Sequence, residues 1–236
     1  MKRKRSLLEK IKIALDNLAG QLQADLHDMA NKPYLGPTCR DKQSRDTVIV
    51  EDVSGSMGYS DYHPTRLEGG IEAAVEYINI RSEQSLKDRI AIVAFDHSAW
   101  VVIDLSPITQ TDMLIKAVRR LKICGGTDLA KGLKKVVDIF VKNLDSTSNK
   151  HIILLTDGHG GRPVRIANKL KDEYKAVIDV VGIGGSCKAV NEPLLRRVAT
   201  TDPDGFNHYR FIKDSKALKQ HYKNLATGLI WRGGRK

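Results

Sequence analysis

From residue 47 onward, short β-branched and apolar runs alternate with longer segments in which apolar residues recur every three or four positions. The short runs are "TVIV" at 47–50, "IAIVAF" at 90–95, "WVVIDL" at 100–105, "HIILLT" at 151–156, "AVIDVVGI" at 176–183 and "YRFI" at 209–212, and each reads as a strand. Helical spacing falls near 66–81, 111–122, 128–144, 163–174, 191–199 and 215–229. Uninterrupted apolar runs imply strands buried on both faces, which a parallel sheet sandwiched between helices provides. One pair departs from this rule. Only "DHSA" separates the second and third strands, too short for a parallel crossover, so these two must form an antiparallel hairpin at a sheet edge. The pattern predicts an α/β domain with a doubly wound, mostly parallel sheet and one antiparallel edge strand.

Ahead of this domain, Leu8, Ile11, Leu15, Leu18, Leu22, Leu26 and Met29 mark an amphipathic helix within residues 1–30. Its stripe serves either to pack back on the domain or to dock a partner. Residues 31–46, with two prolines, a glycine and mixed charges, read as a linker, the domain proper as 47–230 and residues 231–236 as a basic tail. The first residues begin like a secretion signal, but Glu9, Lys10 and Lys12 interrupt the apolar stretch such a signal needs. No apolar run approaches the roughly 18 residues that span a bilayer. A cytoplasmic location is the expectation.

Composition adds little beyond charge. The 236 residues carry a formal net charge of +11. Residues 1–46 hold ten Lys/Arg against six Asp/Glu, and residues 231–236 hold three against none, so much of the excess lies at the ends. Such tails attract acidic partners, nucleic acid included, although no recognised nucleic-acid motif accompanies them. The three cysteines, Cys39, Cys124 and Cys187, are far apart and form no thiolate metal motif.

The chemistry-bearing residues sit where strands end. "VIVEDVSGSMGYSD" places Asp52, Ser54 and Ser56 at every second position after the first strand, "IILLTDGHGG" places Asp157 after another, and "GGTDLAKGL" puts Thr127 in a glycine-rich loop before a helix. Ligands of open α/β sheets bind beyond the carboxyl ends of the strands, so these five oxygen-bearing side chains can converge. Oxygen donors alone select Mg²⁺, Mn²⁺ or Ca²⁺ over zinc or copper. Two carboxylates and three neutral hydroxyls leave a divalent ion electrophilic, ready for a carboxylate from a partner.

These residues resemble the metal-ion-dependent adhesion site of the von Willebrand factor A family. Asp52, Ser54 and Ser56 match its D-x-S-x-S, Thr127 its loop threonine and Asp157 its "TDG" aspartate. The resemblance covers about residues 46–230 and implies a Rossmann-like fold. It also implies direct contact of the serines, and of the threonine when ligand is bound, with Mg²⁺ or Mn²⁺, while the aspartates often act through water. The function implied is non-enzymatic: capture of an Asp or Glu on a partner protein, as an adaptor or subunit of an intracellular assembly, an AAA+ ATPase among the candidate partners. Glu51 departs from the family, which usually has an apolar residue there. Tyr59, Asp61 and His63 in the loop after the motif, and His159 beside Asp157, are candidate partner contacts.

Two rival readings use the same residues. Ser56 in "SGSMG", with Asp157 and His208, follows the chain order of a serine hydrolase, but the preceding strand that would supply an oxyanion hole is missing. A scaffold binding nucleic acid or an acidic partner through its basic tails needs no metal at all.

Overall fold

The computed structural model describes residues 33–35, 44–144 and 146–231. The amphipathic stretch at 1–30 and the basic residues after 231 lie outside them. The described elements run β1 (Pro33–Leu35), β2 (Arg45–Asp52), α1 (Arg66–Gln84), β3 (Arg89–Phe95), β4 (Ala99–Pro107), α2 (Thr111–Arg119), α3 (Leu129–Lys142), β5 (Asn149–Thr156), α4 (Val164–Asp172), β6 (Val177–Ile183), α5 (Glu192–Val198), β7 (Tyr209–Ile212), α6 (Ser215–Thr227) and β8 (Leu229–Trp231). Strands β4-β3-β2-β5-β6-β7 form the main sheet in that order, all parallel except β4, which pairs antiparallel with β3. This is the mixed, doubly wound sheet that the alternation of runs and the four-residue hairpin link predict.

Strand periodicity divides the core into two layers. On one face Ile49, Ile92, Ile153, Leu155 and Val181 pack with Leu114 of α2 and Leu218, Tyr222 and Leu225 of α6, together with Ala73, Ala74 and Ile78 of α1. On the other, Val48, Val50, Val93, Ile152, Leu154 and Val180 meet Leu133, Val136 and Phe140 of α3, Leu170 of α4 and Leu195 of α5. Two local differences from the sequence pattern have clear causes. Helix α2 stops at Arg119 because the following residues are claimed by the loop after β2: Cys124 N–H donates to the Val53 carbonyl at 2.7 Å, and Gly55 N–H donates to the Gly125 carbonyl at 2.9 Å. Helix α6 stops at Thr227 because Gly228 turns left-handed at φ 74°, releasing Leu229–Trp231 to pair antiparallel with Pro33–Leu35.

The first face also buries charge. Asp179, in the apolar run of β6, is held between two histidines, His151 Nε2 at 2.8 Å and His208 Nδ1 at 2.9 Å. Tyr77 and Thr47 extend the chain, with Tyr77 Oη 3.4 Å from His151 Nδ1 and 3.1 Å from Thr47 Oγ1. At the other end His208 Nε2 stands 3.2 Å from Asp202 Oδ2, an ion-pair contact off the hydrogen-bonding direction. Burial opposes charge on Asp179, yet the His208 cation and the two histidine hydrogen bonds outweigh it and hold the carboxyl far below its usual range. Burial likewise opposes charge on His208, but Asp179 and then Asp202 push its pKa up to about 9. His151 goes the other way, kept neutral by burial.

Glu51 has no such company. It points to the α1 face, where neither carboxyl oxygen has a hydrogen-bond partner, and Gly70 of α1 has no room for a Cβ beside it and Leu155. Burial, and secondarily the neighbouring charge of Asp52, raises its pKa from 4.5 to about 8.

Two measurements test this account of the core. Removing one partner of a buried, hydrogen-bonded ion pair typically costs about 3–5 kcal/mol. Asp179→Asn is therefore expected to lower the urea midpoint by a corresponding amount at pH 7, and an unchanged midpoint would refute the pairing. Because Glu51 titrates higher in the folded state, its stabilising neutral form is fully present below pH 4.5 and lost as pH rises through about 8. Stability measured against pH should fall over that window with a slope of up to about 1.4 kcal/mol per unit relative to Glu51→Gln. Parallel curves for the two proteins would show that Glu51 is not buried as described.

Candidate functional site

Neighbouring strands β2 and β5 set the site. The chain leaves β2 through α1 towards β3 and leaves β5 through α4 towards β6, so the two connections diverge and open a crevice at the carboxyl ends of the pair. Asp52 is the last residue of β2, and Asp157 follows Thr156, the last of β5. Both carboxylates are buried. Asp52 Oδ1 accepts from the Ser54 backbone N–H at 2.9 Å, and Oδ2 accepts from the Thr156 hydroxyl at 2.6 Å. These bonds bend the chain after β2 into the 3₁₀ turn Gly55–Gly58. The turn brings Ser54 Oγ to 3.2 Å from Ser56 Oγ, and Ser56 Oγ donates to Asp157 Oδ2 at 2.6 Å.

Thr127 arrives from the loop before α3. That loop is pinned to β3 by Asp128 N–H donating to the Asp96 carbonyl at 2.6 Å. Gly160, at φ +91°, packs directly on the Thr127 backbone, where a side chain would collide with the carbonyl. The glycines of "DGHGG" are thus needed for close approach between the Asp157 and Thr127 loops. Thr127 is half-buried beside the Asp157 loop.

The predicted partner contacts are distributed around the mouth. Tyr59 is 58% exposed, and His63 and His159 are exposed as well. His159 is anchored at both ends, its backbone N–H donating to Asp157 Oδ1 at 3.2 Å and its Nε2 lying 3.2 Å from the Ala189 carbonyl. Asp61 faces inward at its carboxylate. It takes two bonds from Arg66, Nε at 2.9 Å and Nη2 at 2.6 Å, and one from the Gly185 backbone N–H at 2.8 Å.

Arg66 is the residue that sequence reasoning passes over. Only 2% exposed, it spends Nη1 on Asp157 Oδ2 at 3.1 Å and lies 5.3 Å from the Tyr59 ring centre. A signal existed: Arg66 opens α1, just after the Thr65 cap, where the helix dipole disfavours a cation unless carboxylates are near. Thr156, which holds Asp52 in place, carried no comparable signal.

Electrostatically the two aspartates differ. Asp157 has a guanidinium beside it. Asp52 is hydrogen-bonded only by neutral groups, and burial, with the nearby Asp157 charge as a further cause, raises its pKa from 3.8 to about 6 against the lowering effect of Ser54 and Thr156. A buried carboxylate supplied with neutral donors but no countercharge, beside the Ser54 and Thr156 hydroxyls, suits a small hard cation. Among the described residues no group of three or more His, Cys, Asp or Glu gathers as a metal cluster, here or elsewhere, and this site has only two carboxylates. The hydrolase arrangement is not assembled, since Ser56 is bonded to Asp157 and His208 is committed to Asp179 and Asp202.

Residues 47–159 match the family model described as von Willebrand factor type A domain. An uncharacterised protein of Synechocystis sp. is 34% identical over 158 residues, 65% of this chain and 34% of that protein. Calcium-activated chloride channel regulator 1 of Bos taurus is 28% identical over 200 residues, 83% of this chain and 21% of that protein. The chain thus spans about a third or less of the length of these relatives. Among solved structures, the vWF domain of the type V pili tip protein Mfa5 from Porphyromonas gingivalis superposes with a TM-score of 0.66 at 18% identity, over 78% of this chain and 94% of that one. Proximal thread matrix protein 1 from the mussel byssus, a structure whose adhesion motif is occupied by zinc, gives 0.63 at 19% identity over 78% of this chain and 47% of that one. No helix among the described residues is long and apolar enough to cross a membrane. Residues 47–159 are thus similar to the von Willebrand factor type A family, whose members are typically interaction modules rather than enzymes, and the sheet shares the fold of its solved members.

Proposed function

We propose that the domain binds a protein partner through a divalent cation, Mg²⁺ or Mn²⁺ with Ca²⁺ as a third choice, held by Asp52, Ser54, Ser56, Thr127 and Asp157. The observation that carries this reading is the unbroken run of oxygen donors from Ser54 through Ser56 to Asp157, backed by a buried Asp52 that lacks a cationic partner. The zinc-occupied motif of the byssus protein supports divalent metal binding within the family.

Each side chain would have a separate task. Ser54, Ser56 and Thr127 would supply neutral oxygens, while Asp52 and Asp157 supply charge from behind. When bound, the ion offers an electrophilic position to an incoming carboxylate. The protein's own part is orientation: Thr156 and the Ser54 N–H fix Asp52, the 3₁₀ turn fixes both serines, and the Gly160 contact brings the Thr127 loop alongside. The partner proposed is a protein that presents Asp or Glu, with exposed Tyr59, His63 and His159 at the mouth as its further contacts. An intracellular assembly containing an AAA+ ATPase is one setting in which such a module would act.

Titration of the full chain with Mn²⁺, followed by electron paramagnetic resonance, tests the reading. Wild type is expected to bind, and Asp52→Ala to lose about 10–100-fold in affinity, the range typical of outer-shell changes, while keeping its circular dichroism. Equal Mn²⁺ binding by the two proteins would overturn it.

A further inference from the structure

Resting on the site being a metal site, a second assignment concerns the cation it already contains. We propose that Arg66 is an internal counter-cation that competes with the divalent ion for Asp157, and that Asp61 draws its guanidinium aside, so the loop carrying Asp61 sets the metal affinity.

The geometry gives the contest a direction. Arg66 is buried, so its charge is little screened by water. Towards Asp157 it makes one bond, 3.1 Å from Nη1 to Oδ2. Towards Asp61 it makes two, at 2.9 and 2.6 Å, in the fork-to-carboxylate arrangement that is the strongest an arginine forms. Of the two ties, the single longer one to Asp157 is the one that yields. Asp157 Oδ2 is also the atom that accepts the Ser56 hydroxyl, so guanidinium and serine converge on an oxygen of the proposed metal site.

Asp61 matters because it decides where the arginine charge is spent. Its carboxylate is fixed from the opposite side by the Gly185 N–H at 2.8 Å, which joins the loop after β2 to the loop after β6. With Asp61 in place, much of the positive charge is matched before a metal arrives. Without it, Arg66 has Asp157 as its only remaining carboxylate among those it contacts, and the incoming ion meets both a neutralised ligand and a full positive charge. Asp61 retains a side-chain exposure of 35%, so this half of the latch is open to solvent and to whatever approaches the mouth.

The two substitutions should therefore act in opposite directions. In the full chain titrated with Mn²⁺, Arg66→Gln is expected to tighten binding by on the order of 10-fold or more, because a like charge held in a poorly screened site is removed. Asp61→Asn is expected to weaken it by a similar factor. A merely structural role predicts something else: loosening the loops would weaken Mn²⁺ binding in both Arg66→Gln and Asp61→Asn. The latch is refuted if Arg66→Gln binds Mn²⁺ no more tightly than wild type, or if Asp61→Asn binds it as well as or better than wild type; should Arg66→Gln fail to fold, the Asp61→Asn result decides alone. Absence of Mn²⁺ binding by wild type, Arg66→Gln and Asp61→Asn alike would overturn the metal site itself. Binding by wild type with the wrong order among variants would overturn only the latch.

Discussion

Two like-charged side chains buried at the ends of adjacent strands impose the constraint on which this site is built. Asp52 and Asp157 lie where the chain departs from β2 and β5 in opposite directions, and neither carboxylate reaches bulk water. Burial of an ionised carboxylate is unfavourable without a counter-charge or donors. The molecule answers with local backbone and hydroxyl donors at Asp52 and with an arginine at Asp157. The first answer leaves the charge of Asp52 without a cationic partner, and the proposed metal site rests on that uncompensated charge.

The same physics is resolved differently elsewhere in the sheet. Asp179 is as buried as Asp52, but it faces inward among side chains that can protonate, and His208 supplies the missing charge from within. Glu51 is relieved by taking up a proton. Of three acids in one sheet, one has a resident cation and one takes up a proton, while Asp52 has neutral donors alone, and the proposal gives it a cation from outside. Only the last lies at a crevice, and the surrounding loops are held by backbone bonds such as Gly55 to Gly125 and Asp128 to Asp96 rather than by packing alone.

Much of this was readable from the residues. The short link between β3 and β4, three residues in the structure, forced an antiparallel pair, and the apolar runs of β5 and β6 required helices on both faces. The D-x-S-x-S spacing and the "TDG" step located Asp52, Ser54, Ser56 and Asp157, because a strand end followed by a tight turn leaves few places for such side chains to go. What escaped was set by tertiary contact. Arg66 is marked only as a cation at a helix N-terminus, and which carboxylates it serves is settled when the Asp61 loop folds over it. The end of α2 at Arg119 depends on hydrogen bonds joining residues 124 and 125 to the loop after β2, which no local periodicity encodes. The pairing of Pro33–Leu35 with Leu229–Trp231 joins opposite ends of the chain and is equally invisible to a local reading.

The most direct examination of the central claim is crystallographic: diffraction from Mn²⁺-soaked crystals of the full chain, collected at a wavelength where manganese scatters anomalously. The account requires an anomalous peak in contact with the hydroxyls of Ser54 and Ser56, with the Ser56 to Asp157 bond broken to admit it. A map with no peak there, and Ser56 still donating to Asp157, would contradict it.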